Sequence, residues 1–136
     1  MSDKEIRNTA TYSFEITVEA ADIDELNHVN NNVYLKWINR AATKHWQQLS
    51  NDKIDAQYVW VALRHEIDYL KPAFLNDVLT VKTWVGETGG VKSVRYVEIY
   101  NSETLLSKGK TVWVLVDAKT MRPKRIQDDI LNILKP

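Results

Sequence analysis

The stretch NNVYLKWINRAATKHWQQL, from Asn31 to Leu49, decides the fold of this chain. Its apolar and aromatic residues recur about every four positions, and no proline or glycine interrupts them. They are Val33, Tyr34, Trp37, Ile38, Ala41, Ala42, Trp46 and Leu49, with His45 among them. The spacing predicts a long helix with one broad apolar face, and the polar residues 50–52 predict its end.

Five segments around this predicted helix have the composition of β-strands. Residues 12–20 precede the helix, and residues 58–70, 77–85, 91–100 and 105–116 follow it. Alternation within 58–70 predicts that one side of the sheet carries Val59, Val61, Leu63, Ile67 and Tyr69. The short connections between the later strands favour antiparallel hairpins, and residues 128–134 predict a short last helix.

The order of these elements predicts an α+β fold. One strand, a long helix and about four further strands fit a curved antiparallel sheet of about five strands wrapped around a central helix. The apolar face of the helix then packs on the concave face of the sheet. The other face and the edges of the sheet remain for a partner subunit.

The composition predicts a single domain over residues 1–136 and excludes several kinds of function. Eighteen basic and eighteen acidic residues balance, so no nucleic-acid-binding surface is expected. The absence of cysteine excludes a thiol nucleophile, and three scattered histidines do not predict a metal site. The charged start and the lack of a long apolar run predict a cytoplasmic protein without a membrane segment.

The densest run of polar residues, DIDELNHVNNN at 22–32, comes directly before the helix. A helix start needs one capping residue, yet this run contains two Asp, one His and four Asn. Free N–H groups at a helix start stabilise developing negative charge, and a nearby carboxylate can attack a carbonyl carbon or activate water. The run therefore suits thioester hydrolysis, whose thiolate leaves readily, while helix capping alone is the simpler interpretation.

Three blocks of sequence resemble the 4-hydroxybenzoyl-CoA thioesterase family, and the first is also similar to plant acyl-ACP thioesterases around HVNN. They are DIDELNHVNNNVYLKW at 22–37, EIDYLKPA with NDVL at 66–79, and VDAKTMRP at 116–123. The blocks stand in the family's order and spacing, and the resemblance covers about residues 12–126. It implies a hotdog fold and an acyl-CoA thioesterase that needs no metal or redox cofactor.

The resemblance also implies roles for residues before and at the start of the helix. The second Asp of the D-x-D pair, Asp24, maps onto the catalytic carboxylate. The backbone near Asn31 maps onto the N–H that holds the thioester carbonyl. His28 stands where plant-type members have a functional histidine, although their functional asparagine is replaced here by Leu26 and Asn27 is one position away.

Substrate-binding residues are predicted by analogy with the same family. Tyr34 is either a core residue or part of the acyl pocket. Lys92 follows two glycines at a strand start, where family members contact the nucleotide end of CoA. Arg122 lies in a basic turn and is a second candidate for the CoA phosphates. Each of the two cations is otherwise an ordinary solvated charge.

The partners implied are an acyl-CoA or acyl-carrier-protein thioester and a second copy of the chain. Hotdog active sites form between subunits, so a homodimer or a dimer of dimers, a homotetramer, is expected. The alternatives are an acyl-ACP thioesterase and, from another class, a non-catalytic acyl-thioester-binding hotdog protein. A hotdog dehydratase is disfavoured because Val-Asn-Asn-Asn follows His28 in place of a Phe-Pro or Gly-rich segment.

Overall fold

The computed structural model describes residues 10–134, which form five strands, three α-helices and one 3-10 turn at Ala20–Asp22. The strands are β1 (Tyr12–Thr17), β2 (Tyr58–Tyr69), β3 (Val78–Gly89), β4 (Lys92–Asn101) and β5 (Thr104–Asp117). The helices are α1 (Asn31–Leu49), α2 (Asp52–Gln57) and α3 (Asp128–Leu134). The predicted long helix, five strands and last helix are therefore confirmed.

All five strands pair antiparallel in one sheet, in the order β1-β3-β4-β5-β2. The hairpins β3-β4 and β4-β5 are neighbours in sequence and in space. The chain crosses the sheet through α1, so β1 and β2 lie at opposite edges. Within the described residues, β2 therefore has one hydrogen-bonding edge without a partner strand.

Helix α1 packs its apolar face on one face of this sheet. Its buried residues are Val33, Tyr34, Trp37, Ile38, Ala41, Ala42 and His45. On the sheet they face buried residues such as Leu79, Val81, Val97 and Ile99. The helix approaches closely at Gly109, where an added Cβ would lie 2.8 Å from Ile38 Cδ1. One part of the core thus forms between α1 and the middle of the sheet, and a second part includes Ile130 and Leu134 of α3.

The predicted one-sided pattern of β2 is wrong, because a bulge interrupts the strand at Leu63. Pairing with β5 shifts register between Ala62 and Arg64. Before the bulge Val59 pairs with Val116, and after it Ile67 pairs with Gly109. An extra residue reverses which face the following side chains occupy. Val59 and Val61 therefore lie on the face away from α1, while Ile67 packs against the core.

Other boundaries also differ from the prediction. The strand expected over 77–85 continues to Gly89 as β3. The strand expected over 12–20 ends at Thr17, because the 3-10 turn at Ala20–Asp22 follows. Helix α1 ends at Leu49, as predicted, and Asn51 caps α2, with its side chain accepting a hydrogen bond from the Ile54 backbone at 2.9 Å. A six-residue helix is too short for its periodicity to be recognised in sequence.

Candidate active site

The residues before α1 form a tight hydrogen-bonded loop. The Asp24 amide donates to the His28 carbonyl at 3.0 Å, and the Asn27 amide donates to the Asp24 carbonyl at 3.0 Å. Asn27 has a φ of 67°, which asparagine tolerates better than most residues. An isolated bridge between Ile23 and Val29 closes the base of the loop. The loop therefore holds Asp24 in a defined position.

The Asp24 carboxylate is partly exposed and only partly engaged. Its Oδ1 accepts a hydrogen bond from the Leu26 backbone at 2.8 Å. In the described part of the chain, no donor is bonded to Oδ2. One oxygen is thus fixed by the loop, which orients the group, while the other is available to a water molecule or a substrate.

Backbone hydrogen bonds fasten this loop to the start of α1. The Asn30 amide donates to the Asp22 carbonyl at 2.9 Å, and the Val29 amide donates to the Ala73 carbonyl at 2.9 Å. Ala73 is fully buried between β2 and β3, so it ties the loop to the body of the sheet. The Asp24 loop and the first turn of α1 are consequently one rigid unit.

The first turn of α1 leaves one backbone donor unpaired. Asn30 is the N-cap, and its side chain accepts from the Asn32 amide at 2.9 Å. The Val33 amide donates to the Asn30 carbonyl at 2.9 Å. Among residues 10–134 nothing accepts from the Asn31 N–H, and Asn31 is exposed. A free N–H at the positive end of a 19-residue helix can bind an oxyanion.

Tyr34 belongs to an aromatic cluster beneath this helix start. Its ring is buried and makes edge contacts with Trp37 and Tyr69 at centroid distances of 5.3 and 5.5 Å. Burial raises the pKa of Tyr34, so its hydroxyl stays protonated. The Tyr69 hydroxyl donates to the Asn31 carbonyl at 3.3 Å, which links the cluster to the start of α1. Tyr34 thus packs in the core directly below the predicted site.

His28 lies on the Asp24 loop, partly exposed. Its Nδ1 is 3.4 Å from the Val29 carbonyl, which is a long contact for a hydrogen bond. Its backbone carbonyl holds the Asp24 amide, so His28 shapes the loop whatever its side chain does. In the described residues the imidazole is not hydrogen-bonded to Asp24.

The two predicted CoA-binding cations lie at the other end of the sheet. Tyr69, beside Asn31, pairs with Ser107 of β5, whereas Lys92 pairs with Val114. The seven positions from 107 to 114 correspond to about 23 Å of strand. Arg122 follows β5 and its carbonyl accepts from the Asp117 amide at 2.9 Å. One chain therefore does not bring Asp24 together with Lys92 and Arg122.

Sequence reasoning missed a buried polar pair at the C-terminal half of α1. Arg95 Nη1 donates to His45 Nδ1 at 2.8 Å and to Thr83 Oγ1 at 3.0 Å. Burial, with the Arg95 charge as a second cause, lowers the pKa of His45 to about 4. His45 lies on the apolar face predicted for the long helix, and it is buried as that face predicts. Arg95 alternates in step with Val97 and Ile99, and this register is the sequence signal that would have placed it on the buried face of β4.

Residues 10–134 have neither a cluster of metal ligands nor a membrane-spanning helix. No group of three or more His, Asp or Glu side chains there is arranged to hold a metal ion. No helix in the same range is long and apolar enough to cross a membrane.

Comparison with known proteins identifies the family to which these features correspond. Residues 18–134 match the model of the thioesterase-like superfamily. The acyl-CoA thioester hydrolase YbgC from Escherichia coli O157:H7 is 27% identical over 94% of this chain and 98% of its own length. A chloroplastic palmitoyl-acyl carrier protein thioesterase from Cuphea hookeriana is 26% identical over 57% of this chain, but the match spans only 19% of that longer protein.

Solved structures confirm the predicted hotdog fold. A predicted thioesterase from Bacillus stearothermophilus superposes with a TM-score of 0.84 at 26% identity, covering 92% of this chain and 94% of that one. A DHNA-CoA thioesterase from Staphylococcus aureus superposes with a TM-score of 0.80 at 22% identity, covering 90% and 87%. At 22% identity the second likeness concerns the fold alone.

Proposed function

The chain belongs to the thioesterase-like superfamily, and on this premise we propose that it hydrolyses an acyl-CoA thioester to a free acid and CoA, with Asp24 as the catalytic carboxylate. The observation that carries the proposal is the pairing of a half-engaged carboxylate with a free helix-start N–H on one rigid unit. The full-length match to YbgC, an acyl-CoA thioester hydrolase, supports CoA as the carrier.

The proposed hydrolysis needs a hydrogen-bond donor for the carbonyl oxygen and a base for the water molecule, and we assign these roles to the Asn31 N–H and to Asp24. The thioester carbonyl oxygen accepts from the Asn31 N–H, which stabilises the negative charge of the tetrahedral intermediate. Asp24 removes a proton from a water molecule while the water oxygen attacks the carbonyl carbon. The C–S bond then breaks, and the proton held by Asp24 passes to the leaving thiolate.

A covalent route uses the same atoms in another order. Asp24 Oδ2 attacks the carbonyl carbon, the thiolate leaves, and water then hydrolyses the acyl-aspartyl anhydride. Both routes need the carboxylate to be held in one orientation, which the Leu26 hydrogen bond to Oδ1 favours. His28 positions the loop through its carbonyl in either route.

The complete site requires a second copy of the chain. Strand β2 has an edge without a partner strand in the described residues, and it carries exposed apolar side chains, among them Val61, Leu63 and Tyr69. A two-fold axis would pair β2 with the partner's β2 in antiparallel orientation, which satisfies this edge and brings the partner close to these side chains. The Tyr69 end of one strand would then lie beside the Tyr58 end of its partner. Asp24 of one chain would thus face the end of the partner that carries Lys92 and Arg122.

We extend the proposal to the finer features that the sequence suggests. Residues 1–136 act as one domain in a homodimer or a dimer of dimers, and the chain is grouped with the 4-hydroxybenzoyl-CoA thioesterase family. Tyr34 supports the floor of the acyl site. An acyl-carrier-protein substrate is the second candidate, because two chloroplastic palmitoyl-acyl carrier protein thioesterases match 57% of this chain.

A free-thiol release assay tests the proposal. Short, medium, long and aromatic acyl-CoAs are incubated with the purified protein, and CoA release is followed with a thiol-reactive dye. Turnover of at least one substrate supports the thioesterase assignment. A parallel set of acyl-carrier-protein thioesters shows whether the protein uses CoA or acyl-carrier protein as the carrier of its substrate. Saturable acyl-CoA binding without thiol release would instead identify a non-catalytic binder.

A further inference from the structure

A cavity of about 340 Å³ lies beside the C-terminal half of α1, away from the Asp24 loop. Its walls come from α1, the start of β2 and the middle of the sheet, and they include Trp46, Trp60, Trp113 and Arg95. Its volume falls in the range of small-molecule sites, which combine apolar walls with a few placed polar groups. None of the residues predicted for catalysis or CoA binding lines it.

Arg95 is the charged group in the wall of this cavity that has no opposite charge beside it. Its side chain is only 6% exposed, and burial lowers its pKa to about 10, so it stays protonated at neutral pH. In the described residues no carboxylate forms an ion pair with it. A buried cation without a counter-charge is costly, so the cavity is electrostatically suited to an anion.

The hydrogen bonds of Arg95 define which edge of the guanidinium is free. Both hydrogens of Nη1 are used, one on His45 Nδ1 and one on Thr83 Oγ1. His45 accepts at Nδ1 and is therefore neutral, and its ring stacks on Tyr12 at 5.4 Å. Among residues 10–134 no acceptor is bonded to Nε or Nη2. This pair of N–H groups is the fork that binds a carboxylate with two parallel hydrogen bonds.

The remaining walls favour an apolar, preferably aromatic, ligand body. Trp46 and Trp60 meet edge to face at 5.7 Å, which leaves flat ring surfaces in the cavity. The acidic residue in the wall, Asp55, is exposed at the rim and accepts from Trp46 Nε1 at 3.1 Å. It therefore does not neutralise Arg95 inside.

We propose that this cavity binds a small organic acid, with its carboxylate on Nε and Nη2 of Arg95 and its apolar body against the tryptophan rings that line the cavity. His45 and Thr83 position the guanidinium by holding its other edge. The carboxylate belongs either to a free acid or to the far end of an acyl group on a thioester. Only the second source depends on the proposed function.

Calorimetric titration of the full-length protein tests the free acid. Phenylacetate and octanoate are compared with phenylacetamide and octanamide, which have the same body without the charge. The acids should bind about tenfold or more tightly than the amides, as expected for charge-assisted hydrogen bonds. In Arg95→Met the acids should lose this advantage while amide affinity stays within about twofold, and Arg40→Met, an exposed arginine on α1, should behave like the parent.

A kinetic comparison tests the acyl source. A thioester whose acyl chain ends in a carboxylate is compared with its methyl ester, and Arg95→Met should remove a preference in kcat/KM for the acid. A preference for the acid in either the calorimetric or the kinetic experiment, lost in Arg95→Met, supports the proposal and identifies the source of the carboxylate.

If Arg95→Met does not fold, the comparison of acid with amide binding on the parent protein decides. Equal affinity for acid and amide, or no binding of either, together with no acid preference in hydrolysis, overturns the proposal. The proposal is also overturned if these results arise because a carboxylate of a second chain already occupies the cavity. Failure of all thioester hydrolysis removes only the kinetic arm, so it is distinguishable from failure of the acid site.

Discussion

The two ends of helix α1 use polar residues in opposite ways. At the N-terminal end, Asp24 and Asn31 are accessible to solvent, and their groups are held by backbone hydrogen bonds of a short loop. At the C-terminal end, His45 and Arg95 are buried and hold each other across about fifty residues of sequence. The first arrangement suits chemistry on a substrate that binds and leaves, and the second suits recognition of a ligand by a buried charge.

This difference has a physical origin. A helix start offers unpaired N–H groups to anything nearby, so a local loop is enough to build a site there. A buried guanidinium must be desolvated and supported by other side chains, here one from α1 and one from β3, and only the completed fold brings them together. The N-terminal site is therefore local in sequence, while the C-terminal one is assembled by tertiary structure.

Removing the free N–H at the start of α1 should have a large effect on catalysis alone. Asn31→Pro deletes that donor, and proline is favoured at the first position of a helix. Asn30 has ψ 137°, which also suits a residue before proline. We expect kcat to fall about 100- to 1000-fold, as for the loss of an oxyanion donor. The matched variant Asn31→Ala keeps the N–H and should retain most activity in the thiol-release assay. Equal losses in both would indicate that the side chain matters and the N–H does not.

At the opposite end, stability should depend on pH through His45. Its pKa is about 4 in the folded protein against 6.5 as an ordinary value, so the unfolded chain binds the proton more readily. The stabilisation is fully present above pH 6.5 and is lost as pH falls toward 4. We expect a loss of about 1 to 3 kcal/mol over this window beyond that of His45→Asn, which cannot titrate. Urea unfolding at several pH values measures the difference, and parallel curves for the two proteins would contradict the assignment.

The middle of α1 keeps the two ends in register with the sheet, and Gly109 permits its close approach. Gly109→Ala places a methyl group 2.8 Å from Ile38 Cδ1, so we expect a loss of about 1 kcal/mol in the free energy of unfolding. Ile38→Val removes that methyl group of Ile38, and the double variant should be more stable than the sum of the single losses predicts. Additive losses in chemical denaturation would show that the two residues do not clash.

The smallest effect is expected at Lys92, on the exposed start of β4. Lys92→Ala should raise KM for acyl-CoA about two- to fivefold with kcat unchanged, since a solvated ion pair is worth little. The KM for an acyl-pantetheine, which lacks the nucleotide, should not change. A similar increase with both substrates would remove Lys92 from the phosphate site.

Most of the fold could be predicted from sequence because its signals are local. The period of residues 31–49 identified α1, and short Asn- and Gly-containing connections identified the hairpins around β4. The strand order could not be predicted, since nothing in β2 marks it as an edge strand beside β5. The bulge at Leu63 could not be predicted either, because the sequence on each side of the extra residue still fits an alternating strand.

The two candidate sites differ in the same way, because one is local in sequence and the other is not. Asp24, His28 and Asn31 lie within eight positions of one another, so residues that form one sequence motif also lie on one loop and helix start. Their separation from Lys92 and Arg122 appears only in the folded sheet. Arg95, His45 and the three cavity tryptophans are spread over β2, β4, β5 and α1, and each one reads in sequence as an ordinary core or surface residue.

The central claim is that Asp24 performs the chemistry at the N-terminal end of α1, and one comparison tests it directly. Asp24→Asn keeps the size and the hydrogen-bonding ability of the side chain but removes its negative charge. Asp22→Asn is the matched control, because Asp22 closes the turn before the loop by accepting from the Glu19 amide at 2.9 Å. In the thiol-release assay, on a substrate that the parent hydrolyses well, Asp24→Asn should lower kcat by at least about 100-fold with little change in KM, and Asp22→Asn should cost much less. Near-parental turnover by a folded Asp24→Asn protein would contradict the account.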